Sequence, residues 1–110
     1  MIFVEFSAFA RRRSECLDDE QYRALQNALL QDPESGPLIP GTGGLRKIRW
    51  TAEGRGKRGG VRVIYYPVLA RSLVLMLLIY PKNEQEDLTS EQKRILKSLV
   101  QRELAWREEK

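Results

Sequence analysis

The amino-acid sequence predicts a single α+β domain, with the element order β-α-α-β-β-β-α and helices packed on a largely antiparallel sheet. Three observations predict this fold. The chain has 110 residues, the length of one domain, so residues 1–110 are predicted to form one domain. Three runs rich in β-branched and aromatic residues follow one another between residues 45 and 80. Segments with apolar residues at helical spacing flank these runs on both sides.

The first third of the chain is predicted to form a strand at residues 2–6 and then two helices. Ser7 is placed to cap a short helix from Ala8 to about Ser14. The three acids at 18–20 favour the positive end of a second helix, which stops before Pro33. The apolar face of this helix consists of Tyr22, Leu25 and Leu29.

The middle of the chain is predicted to form a loop followed by three strands. Residues 32–44 hold three prolines and four glycines, which are typical of a loop. Strands are predicted at 45–51, 61–68 and 73–80, and their short connections favour an antiparallel meander. Pro67 is expected near a strand end or a sheet edge, because proline cannot donate a hydrogen bond to the ladder.

A last helix is predicted from a capping box. Thr89 is the expected N-cap, and the Gln92 side chain is expected to reach back to the Thr89 backbone. The helix continues to about Trp106, and its apolar face consists of Ile95, Leu96, Leu99 and Val100.

Positive charge is concentrated in one part of the chain. Residues 41–82 contain nine Lys and Arg and one acid, a net charge of +8, whereas the other 68 residues carry −4 (10 minus 14). Within this block, residues 54–60 contain four glycines and three cations. Glycine lets backbone approach a ligand closely, so this turn suits a polyanion partner. A solvated basic surface without a partner remains the alternative.

Several function classes are excluded by residue types. The chain has no histidine and one cysteine, Cys16, which excludes histidine-based catalytic triads, histidine metal sites and an internal disulfide. No metal or cofactor is expected. The longest apolar run, Leu73 to Tyr80, is too short to span a membrane, and the N-terminus lacks signal-peptide features. A cytoplasmic protein is the expectation.

Arg62 is the most informative single residue. Alternation along its strand places Arg62 on one face with Ile64 and Tyr66. A cation on a central strand is costly unless it pairs with a carboxylate or faces a ligand. In a meander, Arg49 and Lys82 lie at the same end of the sheet as Arg62, beside the glycine-rich turn.

Taken together and in this order, several segments resemble RelE/HigB-type toxins. The segments are Gly41 to Arg49, Gly56 to Tyr66, Ile79 to Glu84, and Leu88-Thr89. The resemblance covers nearly the whole chain, and the element order agrees. The glycine-rich lead-in and the Lys82-Asn83-Glu84 sequence are similar to the HigB-like branch.

The resemblance implies a toxin of a type II toxin–antitoxin pair that enters the ribosomal A site and cuts mRNA there. The RNA supplies its own nucleophile, the 2′-OH, so arginines and lysines suffice to disperse charge without a metal. A HigA/RelB-like antitoxin, often with a helix-turn-helix domain, would neutralise the toxin. DNA would then be contacted only through the antitoxin.

The resemblance also implies roles for individual residues. Arg62 would be the main contact to the phosphate and the transition state, and Lys82 and Lys57 would complete the catalytic group. Either lysine could transfer the proton. The segment Asn83 to Leu88 lacks the tyrosine that some members carry there. The expected surface for RNA and ribosome consists of Arg46, Lys47, Arg49, Arg55, Arg58 and Tyr80.

Two other classes of function stay open on the sequence. A non-catalytic RNA- or ribosome-binding module needs only the electrostatic patch. A partner-binding protein would direct the same patch to an acidic protein.

Overall fold

The structure is a computed structural model that describes residues 1–51 and 60–108. The predicted element order is confirmed, and one 3-10 turn joins the last two strands. No helix in these two ranges is both long and apolar enough to cross a membrane. The elements are β1 (Ile2–Glu5), α1 (Ser7–Cys16), α2 (Asp19–Gln31), β2 (Arg46–Trp50), β3 (Val61–Val68), the 3-10 turn (Leu69–Arg71), β4 (Leu73–Pro81) and α3 (Ser90–Glu108).

The four strands form one sheet in the order β1-β4-β3-β2. The predicted antiparallel meander of β2, β3 and β4 is confirmed. The first strand pairs with β4 in parallel, from Ile2 opposite Leu73 to Glu5 opposite Met76, so the sheet is mixed. Pro67 lies beyond the part of β3 that pairs with β2, where its missing N–H costs no hydrogen bond to β2.

Helices cover both faces of the sheet. The predicted alternation along β3 decides which residues meet which helices. Burying each large apolar side chain stabilises the fold by about 1.5–3 kcal/mol. On one face, α1 and α2 contribute Phe9, Leu25 and Leu29, which cluster with Val61, Val63, Tyr65 and Met76. On the other, α3 contributes Leu96 and Val100, which cluster with Ile64, Leu75 and Tyr80.

The helix starts agree with the sequence prediction in two of three cases. Asp18 caps α2 through a capping box with Gln21, and Thr89 forms the predicted box with Gln92. The prediction that Ser7 caps α1 is wrong, because Ser7 is already helical and Phe6 occupies the cap position. The Phe6 N–H donates to the carbonyl of Met76, so pairing with β4 determines where this helix begins. The helix also runs past the predicted end at Ser14, to Cys16.

Gly60 fixes the course of the backbone immediately before β3. Its φ is +69°, a conformation that suits glycine, and a Cβ there would overlap the carbonyl oxygen of Trp50. The carbonyl of Gly60 accepts a hydrogen bond of 3.2 Å from the Lys82 N–H. The start of β3 therefore lies between the end of β4 and the end of β2. The candidate site lies at this end of the sheet.

Candidate anion-binding site

Three side chains form a row across the sheet, on the face that α3 covers. Arg49 lies opposite Arg62 in the β2–β3 ladder, and Arg62 lies opposite Tyr80 in the β3–β4 ladder. The predicted meeting of Arg49 and Arg62 at one end of the sheet therefore occurs.

Among the described residues, the carboxylate of Glu86 joins the two arginines. Arg62 Nη2 donates to Glu86 Oε2 at 3.0 Å and to Oε1 at 3.3 Å. Arg49 Nη2 donates to Oε1 at 3.0 Å. Two guanidinium groups that converge on one pair of oxygens form the geometry in which proteins hold carboxylate and phosphate.

The three groups differ sharply in exposure. The Arg62 side chain is 4% exposed, the Glu86 side chain 40% and the Arg49 side chain 66%. A buried guanidinium without a counter-charge is strongly destabilising, so the Glu86 carboxylate beside Arg62 favours the fold. Arg49 is well solvated, and its contribution to the fold is correspondingly small.

The carboxylate belongs to a short acidic segment, residues 84–87, which we call the acidic strap. Lys47 Nζ donates to Asp87 Oδ1 at 2.8 Å and to the Glu86 carbonyl at 3.2 Å. The Tyr80 hydroxyl donates to the same carbonyl at 3.4 Å.

The other end of the strap is anchored on the first helix. Arg12 of α1 donates two hydrogen bonds of 2.7 Å to the Glu84 carboxylate. Because α1 packs on one face of the sheet and the Glu86 contacts lie on the other, the strap crosses the end of the sheet between Arg12 and Lys47.

The charges of the site determine the protonation of the strap. Desolvation raises the pKa of Glu86, but the Arg62 hydrogen bond and the charges of Arg62, Arg49 and Lys47 outweigh it, so the pKa lies below its ordinary 4.5. The Lys47 hydrogen bond lowers the pKa of Asp87 from 3.8. Both carboxylates are therefore ionised at neutral pH.

Tyr80 is held in its protonated form. Burial raises the pKa of its hydroxyl to about 12, although the charge of Arg62 acts in the opposite direction. Tyr80 is 1% exposed, and its hydroxyl contacts the Glu86 carbonyl from a buried position. At neutral pH it donates hydrogen bonds.

The remaining predicted site residues are not all brought to this cluster. Lys82 is exposed directly after β4, at the same end of the sheet, with its backbone beside Gly60. Arg46 points to the opposite face of the sheet, where it donates to the carbonyls of Glu34 and Gly36. Lys57, Arg55 and Arg58 lie outside the described residues.

A cleft of about 700 Å³ adjoins the site beside β2. Its wall is partly apolar, and cations from β2 and α3 lie along it. Such a mixture can take a flat, weakly polar group next to an anion. The wall includes Leu38, Ile39, Leu88, Lys47, Arg49 and Lys93.

The acidic strap is not among the site residues predicted from the sequence. Its signal was an excess of acids at 84, 86 and 87, immediately after the basic block ends at Lys82. The sequence predicts an ion pair to Arg62 as one possibility, but which acid supplies it depends on how the chain turns after β4. In residues 1–51 and 60–108, no three Cys, Asp or Glu side chains are grouped in a way that could hold a metal ion.

No family model matches the sequence. Among solved structures, the fold is similar to that of the Escherichia coli toxin RelE in the free state, in a form with two arginine-to-alanine substitutions. The TM-score is 0.53 at 16% sequence identity, and the match covers 77% of this chain and 86% of that chain. Likeness at this identity concerns the fold, so we conclude that the chain has a RelE-like fold.

Proposed function

We propose that the chain is a toxin of a type II toxin–antitoxin pair, of the HigB-like branch, and acts as a ribosome-dependent mRNA endonuclease. The observation that carries the proposal is the convergence of Arg49 and Arg62 on the two oxygens of one carboxylate. The same geometry suits two non-bridging oxygens of a phosphodiester. The RelE-like fold and the +8 block at residues 41–82 support it.

In the proposed reaction, the ribose 2′-oxygen attacks the neighbouring phosphorus and the 5′-oxygen of the next nucleotide leaves. One P–O bond forms and one breaks, which gives a 2′,3′-cyclic phosphate and a 5′-hydroxyl end. The 2′-OH proton must go to a base, and the leaving oxygen must gain a proton. Arg62 and Arg49 would stabilise the extra negative charge on the phosphorane oxygens.

Lys82 and Lys57 are the proposed groups for proton transfer. A lysine serves as a base or an acid near neutral pH when neighbouring cations lower its pKa. Tyr80, with its pKa raised to about 12, is suited to orienting an oxygen by hydrogen bonding rather than to accepting a proton.

The surface around the arginines would hold the rest of the substrate. The cleft beside Lys47 and Arg49 has space and apolar wall for the base that follows or precedes the scissile phosphate. We propose the ribosome and mRNA as partners, with Arg55 and Arg58 on the backbone of either RNA. A HigA/RelB-like antitoxin would neutralise the toxin in the cytoplasm.

The test is induced expression in bacteria, with growth followed and a translated reporter mRNA mapped for new 5′ ends. The wild type is expected to arrest growth and to cut within the translated region. Arg62→Ala and Arg62→Lys are both expected to lose cutting. Alanine removes the cation, and lysine replaces the planar guanidinium, whose Nη2 reaches both oxygens, with a point charge. Arg71→Ala removes the same charge at the opposite end of the sheet and should retain activity.

Two outcomes would contradict the proposal. Full mRNA cleavage by soluble Arg62→Lys protein would contradict the proposed role of the Arg62 guanidinium in stabilising the transition state. Growth arrest with no new 5′ ends from the wild type would indicate a module that binds RNA or ribosomes without cleavage.

A further inference from the structure

Glu86 has no role in the proposed reaction, although its carboxylate contacts both arginines. Its carboxylate occupies the place where the two arginines would hold a phosphodiester, at 3.0 Å from each guanidinium. The same donors cannot serve both anions at once. The free protein therefore contains a built-in competitor for its own binding site.

We propose that Glu86 is an internal stand-in for the substrate phosphate, which polyanions must displace in order to bind. The identification of the displacing anion as an RNA phosphodiester rests on the proposed function, whereas the competition itself rests on the geometry alone.

Burial explains why a stand-in is required. Arg62 is 4% exposed, and its charge must be compensated whether or not substrate is present. Within residues 1–51 and 60–108, Glu86 supplies negative charge to Arg62 in the free protein, and a phosphate would supply it in the complex. The site thus exchanges one anion for another and keeps the guanidinium aligned throughout.

Exposure explains how the stand-in can leave. The Glu86 side chain is 40% exposed, and its strap neighbours Glu84 and Asp87 are exposed as well. Rotation of the Glu86 side chain towards solvent breaks only the contacts to Arg62 and Arg49. The backbone carbonyl of Glu86 can keep its hydrogen bonds from Lys47 and Tyr80.

Of the acids in the strap, Glu86 is the one that competes with a phosphate for Arg49 and Arg62. Glu84 is two residues away and carries the same charge, but its carboxylate is bound by Arg12, outside the site. Substitution of Glu84 by glutamine therefore changes the net charge by the same amount as substitution of Glu86. It leaves the Glu86 carboxylate bound to the two arginines. The chain itself offers a matched control.

The experiment measures binding of a fluorescent 2′-O-methyl RNA hexanucleotide, which 2′-OH attack cannot cleave, by anisotropy at low salt. Glu86→Gln is expected to bind about tenfold more tightly than the wild type, because the competing charge is gone. Glu84→Gln is expected to stay within about twofold, the effect of one distant charge. A similar gain in both variants would overturn the proposal, because it would reflect net charge only.

A second variant covers a failure of Glu86→Gln to fold. Glu86→Asp keeps the charge but shortens the side chain by one methylene, so the carboxylate reaches Arg62 less well. We expect tighter hexanucleotide binding than in the wild type, with the fold checked by circular dichroism. Unchanged affinity in folded Glu86→Asp and Glu86→Gln would contradict the stand-in role.

Cleavage on ribosomes separates this inference from the proposed function. If Glu86→Gln binds the hexanucleotide more tightly but the wild type cuts no mRNA, the stand-in is upheld and the endonuclease is not. If the wild type cuts mRNA while Glu86→Gln binds as the wild type does and loses kcat, Glu86 acts in the chemistry, and the stand-in is refuted.

Discussion

At the site, Arg62 is subject to two demands that most binding residues do not combine. Its side chain lies within the sheet, where a charge without a partner is destabilising. The proposed chemistry needs the same guanidinium to be available to a phosphate. Glu86, which is half-exposed and bound through its side chain to two arginines, meets the first demand in a way that is compatible with the second.

Gly60 gives a prediction at the scale of one residue. Gly60→Ala places a Cβ against the Trp50 carbonyl and also strains a backbone at φ +69°. Gly41 has a similar φ of +77° but open space around it. We expect Gly41→Ala to lose about 1 kcal/mol of unfolding free energy, from strain alone, and Gly60→Ala clearly more. Urea denaturation measures both, and equal losses would contradict the role of the Trp50 contact.

Among the elements, the acidic strap shows what sequence patterns can and cannot predict. Strands, helices and the meander follow from alternation, helical spacing and turn residues, which are local signals. The alternation along β3 also placed Arg62 on its correct face. The pairing of Arg62 with Glu86 depends on the turn after β4, and the parallel pairing of β1 joins residues 71 positions apart in the chain, such as Ile2 and Leu73. Such contacts leave no periodic signal in one sequence.

The strap gives a prediction for the pH dependence of stability. The pKa values of Glu86 and Asp87 are lower in the folded protein than their ordinary values of 4.5 and 3.8. Near pH 4 the unfolded chain therefore binds more protons, and stability rises with pH there. The contribution of the strap is complete above about pH 5 and is lost as the pH falls through the lowered folded values.

The measurement is the urea midpoint between pH 6 and pH 3. The Glu86→Gln/Asp87→Asn double variant should show a shallower fall than the wild type on acidification. Glu108→Gln, an acid at the end of α3, is the control and should follow the wild-type curve. A double variant that parallels the wild type would show that the strap does not contribute to acid sensitivity.

For the whole molecule, the sheet with helices on both faces implies one cooperative unit. The two apolar clusters share the strands β3 and β4, so we expect them to unfold together. We expect Leu25→Ala in the α1–α2 cluster and Leu75→Ala in the α3 cluster each to lose about 2–5 kcal/mol. Both side chains are fully buried.

Two optical probes test this cooperativity. Circular dichroism follows the helices, and tryptophan fluorescence includes Trp50, which packs against the α1–α2 cluster. Their unfolding curves should coincide in the wild type and in both variants. Separate transitions in Leu75→Ala would indicate that the two faces unfold independently.

The position of β4 also determines the order in which the molecule can assemble during synthesis. The first strand is made early, but its partner is the last strand, since Ile2 pairs with Leu73. Such a pairing of distant segments is a slow step in folding, so β1 stays unpaired until β4 has been made. The strap follows β4 directly, so the next segment to emerge is the one that carries Glu86. Glu86 can therefore bind Arg49 and Arg62 as soon as β4 has paired with its neighbouring strands.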